Sequence, residues 1–400
     1  MFLDSEEERI LEGYEGEAKA RALKVIVKVG ESLGASRLIK IKHAHISGVS
    51  YENIGDSGLE FINNFRLLGA KFSVPTTINP ISYDLLDYNS IYGLKLSREY
   101  IRAQELILRA LEDMGAELIL TCTPYYTRIP ERYNLKVGDH VAWGESSAVA
   151  YANSILGIRS NREGGPLALM AAIAGRTYYY GMHIDEERIP RVEYIVESIM
   201  LDEAEAGVLG EIIAGIHRDS RPPMVNALFK NNPSIKEFLA AISTAGDLAM
   251  AHIRGITPED PRGEISERVN ITIRDIERLL EERSPIGDVD IVYIGCPHAS
   301  LDEFKTFIRM LEEKHSRGKA RIIVSMSRSV FMEALSIGLV ERAQNIGVSI
   351  VRDSCLIVSP FSRFNRDVSV VTNSYKAYYY LSRRGVKAYL ARTRDLAKYI

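Results

Sequence analysis

The sequence predicts an α/β protein made of several doubly wound lobes, and three observations carry that expectation. Stretches with apolar residues at helical spacing alternate with short β-branched runs along most of the chain. At 400 residues the chain is too long for one small domain, so two or three lobes sharing clefts are expected. The composition, 46% hydrophobic and 26% charged, is that of a folded globular protein and excludes disordered and coiled-coil chains.

In chain order, Gly16 to Leu33 puts Ala22, Leu23, Ile26 and Val29 on one helical stripe. Arg37 to His43 alternates Ile39, Ile41 and His43 with Lys40 and Lys42, the period of a strand. Helices over Ser57–Gly69 and Ser97–Met114 lead to strands at Lys71–Val74 and Glu117–Cys122. Ser146–Gly175, rich in Ala and Gly, reads as two closely packed helices, and Glu203–Gly215 and Ser234–Ala245 as peripheral amphipathic ones. Further on, strands are expected over Asp288–Cys296, Arg321–Ser325, Gly347–Arg352 and Val368–Val371. Helices at Leu301–Lys314, Ser329–Asn345 and from Thr372–Lys376 onward alternate with them, as in parallel doubly wound sheets. The Pro-rich stretch Thr257–Glu264 is the clearest break and divides N-terminal lobes (1–256) from a C-terminal lobe (257–400).

Charge excludes some function classes. Lys+Arg 50 against Asp+Glu 53 leaves a net charge of −3, which gives no footprint for nucleic acid and no attraction to an anionic membrane. No apolar run reaches the ~18 residues of a membrane span. The start, Met1-Phe2-Leu3-Asp4-Ser5-Glu6-Glu7-Glu8, is acidic where a signal peptide is basic, so a cytoplasmic location is expected. Glutamine occurs only at Gln104 and Gln344 beside dense charge, the composition of a heat-adapted protein.

Three cysteines, Cys122, Cys296 and Cys355, are too few and too scattered for a disulfide framework. Each stands at or just past the carboxyl end of an expected strand, where open α/β sheets bind ligands. Two readings stay open on position and number: three buried apolar thiols, or three ligands of an iron–sulfur cluster with one iron left free for substrate. Zinc is the competing metal, but no local Cys-x-x-Cys pair is present.

Several uncommon motifs then recur in order: Ser47-Gly48-Val49-Ser50-Tyr51, Thr76-Thr77-Ile78-Asn79, Cys122-Thr-Pro-Tyr125, the run from Trp143 to Ser154, Asn161-Arg162-Glu163-Gly164-Gly165 and Gly295-Cys-Pro-His298. Together they resemble the aconitase X family over nearly the whole chain. The resemblance implies lobes like the cluster-binding domains of aconitase, with Cys122, Cys296 and Cys355 as ligands of an iron–sulfur cluster, expected as [4Fe-4S]. It implies a hydro-lyase that dehydrates (R)-5-phosphomevalonate to trans-anhydromevalonate 5-phosphate in an archaeal-type mevalonate pathway. The alternatives are hydroxyproline dehydration and a non-catalytic, cluster-sensing regulatory subunit. Fused members of the family carry a small swivelling domain that this sequence lacks, so a separate small subunit is the expected partner. The catalytic base is expected on that partner as a serine, and no residue here is assigned that role.

Residues expected to hold the substrate each have a bland reading beside the functional one. Gly48, Val49 and Ser50 form an anion-binding nest or a plain glycine turn. Asn79 donates an amide to the substrate or shapes a turn. Glu145 and Ser146 open a helix, where Ser146 or Ser147 caps the end and the end itself attracts an anion. Arg162 grips a carboxylate or phosphate, or pairs with a neighbouring acid. Lys376 reaches a substrate anion or is a solvated helix lysine. His43 and His298 read as structural histidines.

Overall fold

The strands fall into three parallel sheets and one antiparallel pair among the described residues of this computed structural model, which are 1–87, 95–261, 263–313 and 318–400. Arg262 in the Pro-rich stretch and Lys314 at the expected end of a helix lie outside them. The first lobe holds β1 (Leu38–Lys40), β2 (Ala44–Ile46), β3 (Thr76–Ile78), β4 (Ala142–Trp143) and β5 (Arg176–Tyr178). β1 and β5 pair antiparallel, and the parallel sheet runs β3-β2-β4. The second holds β6 (Val192–Leu201), β7 (Met224–Phe229), β8 (His252–Ile253) and β9 (Glu267–Ile271) in the order β8-β7-β6-β9. The third holds β10 (Ile291–Ile294), β11 (Arg321–Met326), β12 (Val348–Arg352), β13 (Ser369–Thr372) and β14 (Lys387–Leu390) in the order β12-β11-β10-β13-β14.

In each parallel sheet the chain begins in the interior and later crosses to the other side. That reversal leaves a crevice at the carboxyl ends, between β2 and β4, β6 and β9, and β10 and β13. The expected doubly wound α/β class is therefore the one observed.

Individual elements depart from expectation for identifiable reasons. The strand expected over Arg37–His43 is shorter: β1 ends at Lys40, the chain bends at Lys42, and β2 begins only at Ala44, where partner β5 is exchanged for β3 and β4. Lys71–Val74 lies ahead of β3 and bonds to the ends of two helices, Phe72 N–H to Met114 O and Ser73 N–H to Ala172 O. Glu117–Cys122 makes a single bridge, Thr77 to Glu117; Leu120 turns to φ +48°, and although Thr121 N–H still reaches Ile78 O at 3.3 Å, no strand continues. Cys122 therefore does not end a regular strand. The helix expected over Ser329–Asn345 is broken between Ser336 and Leu339, with Gly338 at φ +71°.

The helices Glu203–Ile216 and Asn232–Ala245 are not peripheral. They pack on each other through Leu209, Ile213, Phe238 and Ile242, all buried, in the core of the second lobe. The boundary expected at 256/257 falls inside this lobe, because β9 returns beyond the Pro-rich stretch to pair with β6. That stretch is a loop within one sheet, and the third sheet begins only at Ile291.

Gln104, one of the two glutamines, is buried in the helix Arg98–Asp113 and spans the turn after β2. Its Nε2 donates to Val49 O at 2.9 Å, and its Oε1 accepts from Tyr51 N at 2.9 Å and Ser82 Oγ at 2.8 Å.

Candidate active site

The loops after β2, β3, β4, β10, β12 and β13 open onto one cavity of about 290 Å³. All three cysteines line it, together with Gly48, Val49, Asn79, Glu145, Ser146, Arg162 and Lys376. Residues up to 337 positions apart, Ser47 and Arg384, thus meet because two parallel sheets present their carboxyl ends to one space.

The cysteine segments are fixed by their backbones. Gly295 (φ +107°) precedes Cys296, and a Cβ there would stand 2.1 Å from Ser325 O, so only glycine passes that close to β11. Ser374 Oγ donates to the Cys296 carbonyl, and Lys236 Nζ donates to Pro297 O at 3.2 Å. Lys236 is itself held by both oxygens of Glu303, at 2.7 and 2.8 Å. Leu120 and Asp353, each two residues before a cysteine, take left-handed φ values of +48° and +61°, backbone strain of the kind that gathers at functional sites.

His298 ties the three segments together, as sequence reasoning did not foresee. Its N–H donates to Cys122 Sγ at 3.2 Å. Burial pushes its ring down to about 4, so it is neutral; Nε2 donates to Ser354 O at 3.0 Å, leaving Nδ1 to accept from Thr121 Oγ1 at 3.1 Å. Burial likewise pushes the Cys122 thiol up to about 12. Cys296 keeps its proton and donates a hydrogen bond to the Cys355 sulfur, which raises Cys296 and holds Cys355 below the ordinary thiol value.

A second buried chain of polar groups crosses the opposite wall. Thr77 Oγ1 lies 2.8 Å from His45 Nδ1, and His45 Nε2 lies 2.9 Å from Asn79 Oδ1. Since an amide oxygen only accepts, His45 donates through Nε2 and takes the threonine proton at Nδ1. Burial keeps this ring neutral, at about 4. Asn79 Nδ2 then donates to Glu145 Oε2 at 2.7 Å, and Lys376 Nζ bonds Glu145 Oε1 and, at 3.2 Å, Ser147 Oγ. Burial would push Glu145 up, but the charge and hydrogen bond of Lys376 and the Asn79 amide hold it down to about 2. Lys376 is therefore no solvated lysine: it is 7% exposed, and salt cannot screen its pairing as it would an exposed contact. His45, on β2, holds Asn79, a residue of the expected site; its only sequence signal is a polar ring on an otherwise apolar strand.

Other expected residues are placed as follows. Gly48 and Val49 line the cavity, but Ser50 does not: its hydroxyl is buried against Ser82 Oγ at 2.9 Å and Val358 O, joining the first and third lobes. Glu145, not Ser146 or Ser147, is the N-cap of the short helix Ser146–Tyr151, and it makes no side-chain cap bond. Arg162 lines the cavity and donates to Gly246 O at 3.1 Å and Asp247 Oδ1 at 3.2 Å, so it pairs with a neighbouring acid while facing the space in which a substrate anion would lie. Gly165 packs on the β2 turn so closely that a Cβ would stand 2.4 Å from Ser47 O. Tyr380 and Arg384, which also line the cavity, went unnoticed in the sequence because they are ordinary residues of a helix and its end.

Strand ends of two doubly wound sheets, enclosing three thiols and a buried lysine–carboxylate pair, define an α/β protein with a thiol-lined ligand cavity. Family models of the aconitase X first, second and third domains match residues 1–186, 182–281 and 289–399, and the chain belongs to the aconitase X family. It is 57% identical to the phosphomevalonate dehydratase large subunit of Aeropyrum pernix and 38% identical to that of Thermococcus kodakarensis, each over 100% of this chain and at least 99% of the relative. Cis-3-hydroxy-L-proline dehydratase of Pseudomonas aeruginosa is 31% identical over 94% of this chain but only 66% of that enzyme. The crystal structure of Thermococcus kodakaraensis aconitase X in its holo-form superposes with a TM-score of 0.90 at 38% identity, covering 100% of this chain and 99% of the other. No helix among the described residues is long and apolar enough to cross a membrane.

Proposed function

We propose that the chain is the large subunit of a phosphomevalonate dehydratase, removing water from (R)-5-phosphomevalonate to give trans-anhydromevalonate 5-phosphate on the mevalonate route to isoprenoids. The observation that carries this reading is full-length identity of 57% to a relative of that name, with further relatives of that name between 38% and 35%, each matched over at least 92% of its length. The hydroxyproline dehydratases are more distant, at 31% and 30%, and are matched over only two thirds of their length.

Cys122, Cys296 and Cys355 would hold an iron–sulfur cluster, taken as [4Fe-4S]. Among the described residues no three His, Cys, Asp or Glu side chains close around a single ion. Three soft sulfur donors line one cavity, two of them in hydrogen-bond contact, and such a set suits a cluster whose irons each take one thiolate. When bound, a cluster with an open iron supplies a Lewis acid that makes the departing hydroxyl a better leaving group.

The chain's own residues orient the substrate. A proton leaves the carbon beside the carboxylate and hydroxide leaves the next carbon; a double bond forms and water is released. Asn79 and Lys376 present an amide and an ammonium to the carboxylate or hydroxyl end. Glu145, kept ionised by Lys376, stands ready to accept a hydrogen bond from the hydroxyl. The base is assigned to a small partner subunit, in keeping with the large-subunit name of the relatives.

Purified anaerobically with that partner, the chain is expected to carry iron and acid-labile sulfide and to turn over (R)-5-phosphomevalonate. Replacing any one of the three cysteines by serine should bleach it. Turnover of cis-3-hydroxy-L-proline alone would replace the substrate, and full iron retention in all three variants would remove the ligand set.

A further inference from the structure

A second recess, of about 390 Å³, adjoins the thiol-lined cavity, and Asn53 and Arg384 line both. Its wall carries three arginines, Arg363, Arg366 and Arg384, against one acid, Glu52. Glu52 is already engaged, accepting from Arg363 Nη1 and Tyr100 OH at 3.2 Å each. Arg366 makes no ion pair with any described residue, and Arg384 spends one donor on the Ile357 carbonyl with no carboxylate opposite it. The floor includes Ser362, which is 7% exposed and whose Oγ has no hydrogen-bond partner among the described residues. A buried hydroxyl left unpaired is costly, and it stands here beside uncompensated guanidinium groups.

We propose that this recess is the phosphate subsite of the enzyme, with Arg384 and Arg366 gripping the phosphate oxygens and Ser362 donating to one of them; the assignment rests on the phosphomevalonate reading above. Guanidinium forks fit phosphate oxygens in pairs, which a lysine cannot match. A substrate with a carboxylate at one end and a phosphate at the other spans two adjoining anion sites. Its hydroxyl end lies at the thiols, and its phosphate lies past Asn53. The recess thereby separates phosphorylated from unphosphorylated hydroxy acids, while the thiol cavity performs the same elimination on either.

Ser362→Ala removes a hydroxyl with no hydrogen-bond partner among the described residues, so its melting temperature should hold or rise. Loss of one donor to a charged oxygen should raise KM for (R)-5-phosphomevalonate roughly tenfold to a hundredfold, with a much smaller change in kcat. Arg366→Ala, at an exposed position, is the second variant, and inorganic phosphate is the direct probe, followed by calorimetry on the two-subunit holoenzyme. Phosphate binding in the parent that weakens in both variants supports the subsite. If the parent turns over the phosphorylated acid and both variants keep its KM and the parent's phosphate affinity, the subsite is wrong and the functional reading stands. If the parent does not turn over that acid but phosphate binding weakens in both variants, the functional reading falls and the anion subsite stands. No calorimetric phosphate binding to the parent, together with unchanged KM values, also overturns the subsite.

Discussion

Glu163 shows how one side chain in a recognisable motif can matter through its proton. It is 3% exposed; Thr177 Oγ1 donates to Oε1 at 3.0 Å, and Oε2 has no partner among the described residues. His183 Nε2, likewise unpartnered there, is 4.0 Å from Oε1. Burial pushes the Glu163 carboxyl up to about 7, although hydrogen bonds from Tyr178 and Thr177 pull it down. The folded chain therefore keeps this proton to about pH 7, while the unfolded chain releases it near 4.5. Because the folded value is the higher one, ionisation favours the unfolded chain, and stability falls as pH rises from 4.5 to 7 and stays lower above. The loss is of order 3 kcal/mol at about 1.4 kcal/mol per unit. Glu163→Gln should flatten that part of the profile and raise the denaturation midpoint above pH 7, measured by guanidinium titration at a series of pH values. Asp202 and Glu237, which burial raises to about 7 and about 8, slope the same way, so the variant reduces the dependence without abolishing it. An unchanged profile would mean that Glu163 is ionised when buried.

At the scale of elements, the site is an interlocking of turns. The turn after β2, the start of the helix Gly164–Ala174 and the turn after β4 touch through backbone, which is why Gly48, Gly144 and Gly165 cluster there. A methyl group on Gly165 would have to displace Ser47 O, against which it would stand at 2.4 Å. Gly165→Ala should cost about 1–3 kcal/mol through overpacking. It should also raise KM, because the Gly48–Val49 turn shifts with Ser47, while iron content stays at the parent level since no cysteine is on these elements. A variant with parental stability and KM would show that the turn yields freely. The strained backbone before Cys122 and Cys355 belongs to the same scale, held by Asp353 accepting from Arg328 N at 3.0 Å and Nε at 2.9 Å.

For the whole molecule, the first and third lobes are bound through buried polar contacts at the site itself. Lys376 pairs with Glu145, Ser50 bonds Val358 O, and Asp84 accepts from Arg352 N at 2.9 Å and Nε at 2.8 Å. The second lobe supports Pro297 from behind through Lys236. The site is thus walled by buried contacts from all three lobes, and a base supplied by a partner, as proposed, would enter from its open side. The isolated chain is expected to bind iron but show no measurable turnover, and titration with the small subunit should restore activity with an endpoint at one partner per chain. Turnover by the isolated chain equal to that of the mixture would place the base on this chain.

Much of this was legible in the amino-acid order, because it depends on short-range patterns. Alternating helical and strand periods gave the α/β class, and the third lobe's elements were legible nearly residue by residue, since β10 to β13 are continuous apolar runs between helices with clear polar faces. Cys122, Cys296 and most of the expected residues that line the cavity were legible because they stand in uncommon local motifs, and Cys355 because it follows an expected strand. Periodicity could not reveal β6 and β7, nor that the helices Glu203–Ile216 and Asn232–Ala245 are buried, because a helix reads as peripheral until a neighbour covers its second face. Nor could it separate Ser50, turned away from the cavity onto Val358 O across 308 residues, from Lys376, which lines the cavity while paired with Glu145 across 231. Local sequence sets which turns and helices form. Which side chains keep a free donor is decided by partners hundreds of residues away, and only packing of the lobes brings those partners within hydrogen-bond reach.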